Sequence, residues 1–315
     1  MKLNLIAKRK YFYIFSSIIF VASVISIMIW GLKLGIDFTG GSMLEVKYKA
    51  DRPTVAQVET ALKGIDLGDI KVQPAGDSNI ILRFKNVDES THQDILTKLE
   101  ALVSSGVKTT STATNIKMLQ EEKFESIGPV IGEEIKHKAI WAVVLASFCI
   151  ILFIAYTFRK VSKPVASWKY GTAAVLALIH DLVITTGVFV FLGHFFGIEV
   201  DSLFIVALLT VLGYSVNDTI VVFDRTRENL AKRFMGDFPT VVNESLNQTL
   251  VRSLNTTVTV LLALLALYFF GGITIHNFIL ALIIGITLGA YSSIFVASML
   301  IVTWERWDKK RAATR

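Results

Sequence analysis

Residues 203–225 read LFIVALLTVLGYSVNDTIVVFDR. The run from Leu203 to Phe223 is long enough to cross a bilayer, because a spanning helix needs about 20 mostly apolar residues. It stops at Asp224 and Arg225, an ordinary charged boundary. Asn217 and Asp218 interrupt it from within, where hydration is poor. The stretch therefore carries a membrane fold and a chemical question together.

Working outward, five more runs of this kind occur at 12–30, 139–158, 172–193, 248–270 and 275–303, which makes six expected spans. Composition agrees. The chain is 53% hydrophobic and 18% charged, with mean hydropathy +0.56, too apolar for an ordinary soluble protein. The first run continues into a glycine motif rather than a cleavage site, so it reads as a span and not as a removable signal peptide. The single cysteine, Cys149, excludes a disulfide framework within the chain and a Cys-rich metal site. Lying in an apolar run, it reads as a small buried hydrophobe.

Loop charge orients the spans. The N-terminal stretch, the segments between spans two and three and between four and five, and the C-terminal tail hold seventeen basic and six acidic residues. The short loops 194–202 and 271–274 contain no Lys or Arg. The positive-inside rule then places both termini in the cytosol. Segment 31–138, on the opposite side, holds fourteen basic and sixteen acidic residues. The formal net charge of +6 is thus a topology signal, and no nucleic-acid partner is expected.

The expected division is 1–30, a cytosolic N-terminus and first span; 31–138, an outer (periplasmic) domain; 139–303, spans two to six; and 304–315, a basic cytosolic tail. Within 31–138 the pattern predicts strands at 43–48, 71–73, 80–84 and 107–114 and helices at 54–63 and 88–103, with Pro53 suiting a helix start. That order, β-α-β-β-α-β, is the split ferredoxin-like arrangement of a small α+β domain. The fold class is a polytopic α-helical membrane protein of six transmembrane helices with this domain between the first two. Small residues at 281, 285, 289, 293 and 297 line one face of the last span and predict close helix packing. Segments 225–234 and 238–246 read as basic, amphipathic pieces at the cytosolic surface that face anionic lipids or a partner.

No nucleophile set, metal spacing or phosphate loop emerges, so neither cofactor nor metal is expected. His92 and His137 read as solvated or structural. The informative residues are ionisable groups within spans: Asp181, Asp218 and Arg252, with His180 beside Asp181. A charge at a helix centre costs about 2.5–3.5 kcal/mol on insertion scales, so such residues face a bundle interior or water. Counted at 1.5 Å per residue, all three lie roughly 6–14 Å from the cytosolic boundary, one layer deep. Arg252, Asn255, Thr256 and Thr259 follow helical spacing, as do Tyr214, Ser215 and Asp218, with Asn217 alongside. Two readings stand: a proton relay through Asp218, with Arg252 biasing its charge state, and an Asp–Arg pair that only holds helices together. His180 reads first as structural.

Several motifs carry a resemblance. They are Gly35-Ile36-Asp37-Phe38-Thr39-Gly40-Gly41, whose paired glycines permit a tight turn or close backbone approach; Ile127-Gly128-Pro129; Ala177-Leu178-Ile179-His180-Asp181; Gly213-Tyr214-Ser215-Val216-Asn217-Asp218 and its continuation to Asn229; and Arg252-Ser253-Leu254-Asn255-Thr256-Thr257. Together they resemble the SecF family, the smaller membrane subunits of bacterial SecD–SecF complexes, within the resistance-nodulation-division superfamily. The resemblance spans nearly the whole chain. It implies use of the proton motive force to promote late translocation and release of exported polypeptides, without covalent chemistry, from the inner membrane. It ties Asp218 and Arg252 to proton transport; Asp181, Asn217, His180, Asn255 and Thr256 complete the candidate relay set, and Gly35, Asp37, Phe38, Gly40, Gly41 and Gly213 are the candidate structural-motif residues. The implied partners are SecD, the translocon of SecY, SecE and SecG, YajC, the translocating polypeptide and membrane lipids. A proton-coupled exporter of small molecules or lipids from the same superfamily is the alternative.

Overall fold

The computed structural model describes residues 3–49, 52–104, 119–157, 165–232 and 237–314. A 3₁₀ turn at Ile6–Lys8 precedes helix α1 (Arg9–Trp30). A one-turn helix α2 (Ile36–Thr39) leads into strand β1 (Gly41–Tyr48), helix α3 (Val55–Leu62), strands β2 (Lys71–Ala75) and β3 (Asn79–Phe84), helix α4 (Glu89–Ser104) and strand β4 (Leu119–Ile127). Helices α5 (Pro129–Thr157), α6 (Ser167–Phe196), α7 (Ser202–Ala231), α8 (Phe238–Phe270) and α9 (His276–Ser292) follow. A π-helical turn at Ser293–Ala297 joins α9 to α10 (Ser298–Ala313). The chain forms two compact units, Met1–Lys33 with Ala139–Arg315, and Leu34–Lys138.

Among the described residues, six helices are long and apolar enough to cross a membrane, matching the six hydropathy runs. They extend past those runs because helix formation does not stop where hydrophobicity does. Residues 225–231 complete α7, and 238–246 form the first turns of α8. Asp201 caps α7 by accepting the Phe204 amide at 3.0 Å, and Asp237 caps α8 by accepting that of Thr240 at 3.2 Å. Cys149 is exposed on α5, contrary to the buried reading. On a membrane helix the outward face is also apolar, so hydrophobicity does not mark burial.

Helices α6, α7 and α9 form the inside of the bundle. Small residues set their spacing. A Cβ on Gly285 would lie 2.3 Å from Val211 Cγ2, and one on Gly289 would lie 2.9 Å from Ser215 Cβ. The expected small-residue face thus meets α7. At Gly187, a Cβ would stand 2.3 Å from Ser23 Cβ, which brings α1 equally close to α6. Such contact is how helices associate where lipid is as apolar as the side chains.

The second unit holds one antiparallel sheet of order β2-β3-β1-β4, with α3 and α4 packed on it. Its core includes Leu44, Val46, Leu82, Val58, Leu62 and Leu99, all fully buried. This is the split arrangement expected. Two local readings differ. The start of α3 is made by Thr54, not Pro53: Thr54 and Gln57 form a reciprocal capping box. The described fourth strand is β4, where no element was expected; the expected strand 107–114 lies outside the described residues. Glu121, Glu122, Lys123 and Glu125 break the apolar alternation of β4, as edge strands often do.

Candidate functional site

Two carboxylates inside the bundle receive opposite treatment. Asp181, on α6, is fully buried and fully engaged. Its Oδ2 accepts the hydroxyls of Ser215 on α7 at 2.6 Å and Ser292 on α9 at 2.7 Å. Its Oδ1 faces His180 Nδ1 at 3.0 Å, and His180 Nε2 faces Ser16 Oγ on α1 at 2.6 Å. An acceptor on the Nδ1 side places the imidazole proton there, which leaves Nε2 to accept from Ser16 when the ring is neutral. One carboxylate therefore ties α6, α7 and α9 directly and α1 through the imidazole. Ser293, beside Ser292 at the π-helical turn, accepts from or donates to Thr219 at 2.8 Å and donates to the Ser215 carbonyl at 3.1 Å.

Asp218 lies one turn beyond Ser215 on α7. It is 3% exposed, and its Oδ2 is buried with no hydrogen-bond partner among the described residues. The charge of Arg252 reaches it, but no described cation lies within ion-pair distance. Arg252 itself points outward on α8, as do Asn255, Thr256 and Thr259. The residues of α8 that face inward are one step round the helix: Thr249, Ser253 and Thr257. On α7, Asn217 and Gly213 are also exposed, and a Cβ on Gly213 would meet nothing within 4 Å. The expected set therefore divides. His180 and Asp181 meet in one network, Asp218 is buried apart from it, and Asn217, Arg252, Asn255, Thr256 and Gly213 lie on outward faces.

In the other unit, the glycine motif is a close clasp. Gly35 precedes α2 in extended backbone, and its carbonyl accepts the Thr39 hydroxyl at 3.0 Å. Phe38 is buried, and Asp37 lies in the first turn of α2. Gly40 has φ +73°, and a Cβ there would stand 2.7 Å from Pro129 Cα. Gly41 has φ +132°, with Phe84 O 2.9 Å from its would-be Cβ. A Cβ on Gly132 would in turn meet Gly40 N at 2.8 Å. The stretch entering the small α+β domain thus lies against the stretch leaving it, and only glycine fits on both sides.

Ser16 and Ser292 escaped the sequence pattern, Ser293 entered it only as a small residue of a packing face, and Ser253 only as a member of the Arg252 motif. Serine is common enough in spans that a lone hydroxyl carries little signal; the Ser292-Ser293 pair at the end of a small-residue face was the available clue.

Comparison with known proteins places this geometry. A family described as "Protein export membrane protein SecD/SecF, C-terminal" matches residues 107–307, and the "SecD/SecF GG Motif" matches residues 25–51. Protein translocase subunit SecF of Thermobaculum terrenum is 41% identical, over 99% of this chain and 97% of its own length. That of Anaerolinea thermophila is 37% identical over 98% of each. Protein translocase subunit SecDF of Bacillus subtilis is 34% identical over 98% of this chain but 39% of its own. The crystal structure of SecDF from Thermus thermophilus, a translocon-associated membrane protein, superposes with TM-score 0.79 at 30% identity, covering 97% of this chain and 39% of that one. Six spans, a clasped GG motif and full-length similarity to these subunits agree: the chain belongs to the SecD/SecF family of protein-export membrane proteins, in its SecF branch.

Proposed function

We propose that this chain works with SecD as a proton-driven accessory subunit of the Sec export machinery, coupling the proton motive force to late translocation and release of polypeptides. The observation that carries this reading is the Asp218 carboxylate. It is buried in an apolar span and has an oxygen without a hydrogen-bond partner among the described residues. A group that must take up and release a proton cannot be locked into permanent bonds, whereas a group that holds helices together should be. Each charge crossing 100 mV releases about 2.3 kcal/mol, so a few protons suffice to drive a modest domain rotation. The reading assigns the chain no covalent chemistry.

SecD is the first partner, because SecDF relatives carry a region like this chain within a longer one. The outward polar residues of α7 and α8 support a second bundle seated there. An exposed guanidinium within a span is costly against lipid, and Gly213 leaves room for a close helix. Arg252, Asn255, Thr256 and Asn217 would then line the seam between the two halves, with Asp218 behind it and the Asp181–His180 network bracing it. The Lys/Arg-rich ends put both termini in the cytosol of the inner membrane and the domain 31–138 in the periplasm. There the domain would assist contact with the emerging polypeptide, chiefly through SecD, while the SecY, SecE and SecG translocon and YajC complete the assembly.

The test is Asp218→Asn in the full chain, co-purified with SecD. Proton-dependent stimulation of precursor export should disappear while the complex still assembles. Normal stimulation by an assembled Asp218→Asn complex would overturn the relay.

A further inference from the structure

Most hydroxyls along α8 have a partner in the helix or across its seams. Ser245, Thr249, Thr256 and Thr259 donate back to carbonyls one turn earlier, at 2.8, 2.9, 3.1 and 2.7 Å. Ser253, in the same helix, is 1% exposed, and its Oγ has no hydrogen-bond partner among the described residues. A buried hydroxyl left unpaired is unfavourable and calls for an explanation.

The opposite wall of the seam supplies one. Tyr214 on α7 donates to Thr257 on α8 at 3.4 Å, and Asn229 on α7 donates to Ser245 on α8 at 2.8 Å. Residue numbers rise along one helix as they fall along the other, so the two run antiparallel. One turn on from Tyr214 is Asp218, and one turn back from Thr257 is Ser253. The unpartnered Asp218 Oδ2 and the unpartnered Ser253 Oγ therefore occupy the same level of the seam, between two hydrogen-bonded rungs.

We infer that Ser253 is the hydrogen-bond partner of the Asp218 carboxyl as it gains and loses its proton, a positioning residue for the relay. This rests on the relay reading above. A hydroxyl donates to a carboxylate and accepts from a carboxylic acid, so one side chain serves both charge states. The Arg252 guanidinium only donates, so it cannot accept the O–H of the acid. When the acid's O–H bond breaks, the proton leaves on a water, and Ser253 turns its O–H towards the carboxylate. Reprotonation from the other side restores the acid and reverses the hydroxyl. Ser253 keeps its own proton throughout.

A merely structural Ser253 predicts the reverse, since truncating an unpaired buried hydroxyl leaves packing intact. The experiment uses the full chain assembled with SecD in proteoliposomes, with an imposed pH gradient and an internal pH dye. Infrared difference spectra follow the protonated Asp218 C=O band, identified by its loss in Asp218→Asn. Ser253→Ala should slow proton flux about tenfold, the kinetic equivalent of one hydrogen bond, and move that band to the frequency of a free carbonyl. Ser253→Thr should keep both parental. If Ser253→Ala does not assemble, the near-isosteric and weakly bonding Ser253→Cys repeats the measurement. Parental flux and band in Ser253→Ala, beside a dead Asp218→Asn, overturn the inference and leave the relay standing. Loss in Ser253→Thr as well overturns the hydroxyl assignment. Normal flux in Asp218→Asn overturns the relay itself.

Discussion

Truncating each carboxylate to alanine should separate the two by stability. Asp181→Ala strips the acceptor from three buried donors at once: the Ser215 hydroxyl at 2.6 Å, the Ser292 hydroxyl at 2.7 Å and His180 Nδ1 at 3.0 Å. Two of these bonds cross helices, and interhelical hydrogen bonds in membrane proteins average about 0.6 kcal/mol, which sets the lower end near about 1 kcal/mol. Bonds to a charged group are worth about 1.5–3 kcal/mol in soluble proteins, which lifts the upper end to about 5 kcal/mol after partial rescue. That rescue is visible: Ser292 already reaches the Gly289 carbonyl at 3.2 Å. Asp218→Ala removes no bond at Oδ2 and should stay within about 1 kcal/mol of the parent or exceed it. Asp181→Asn is the internal control. Its amide oxygen still accepts both hydroxyls, and its NH₂ can face His180 if the imidazole moves its proton to Nε2 and donates to Ser16. Most stability should return. The assay is reversible unfolding in mixed micelles, comparing the three variants with the parent. An Asp218→Ala as costly as Asp181→Ala would falsify the division, and an Asp181→Asn as damaging as the alanine would refute the network's proton logic.

Other outcomes follow from single contacts. Gly187→Ala places a Cβ on Ser23, whose Cα is 2.6 Å away, and should destabilise the α1–α6 contact by about 1–3 kcal/mol, read in the same unfolding assay. Gly213→Ala meets nothing and should leave the isolated chain as stable or firmer by up to about 1 kcal/mol, yet weaken co-purification with SecD. In the small α+β domain, burial without a hydrogen bond among the described residues pushes the Tyr48 phenol up to about 12. A raised value means its contribution is complete below the ordinary value near 10 and fades as pH climbs from there to about 12. The domain should lose about 2–3 kcal/mol over that window, seen as faster hydrogen exchange in β1 and absent in Tyr48→Phe.

Six spans were legible because bilayer thickness imposes a run length that no soluble fold mimics. The small domain was legible where side chains alternate, as in β3, whose every second residue is buried. It failed at β4, because an edge strand protects itself with charge and erases the alternation. The site was legible in depth but not in azimuth. Counting residues placed Asp181, Asp218 and Arg252 in one layer, yet depth does not say which way a side chain points. Arg252 faces out, and Ser253, one residue on, faces in. Tyr214 and Ser215, grouped by spacing, serve different neighbours: Tyr214 bonds Thr257 on α8, and Ser215 bonds Asp181 on α6. Adjacent residues on a helix differ by about 100°, so a one-residue difference decides which seam a polar group enters.

Two readings of the intramembrane charges, relay and helix-holding pair, now attach to different residues. A pair that holds helices must be in contact, and Asp218 and Arg252 are not within ion-pair distance among the described residues. The holding role has an occupant in Asp181, whose three bonds and His180–Ser16 extension reach four helices. That carboxylate is held by partners on both oxygens. Asp218 lacks that restraint, one turn along the same helix whose Ser215 the network fixes. The network thus ties α7 at Ser215 and leaves Asp218 Oδ2, one turn on, without a partner among the described residues, which is the arrangement the proposed relay calls for.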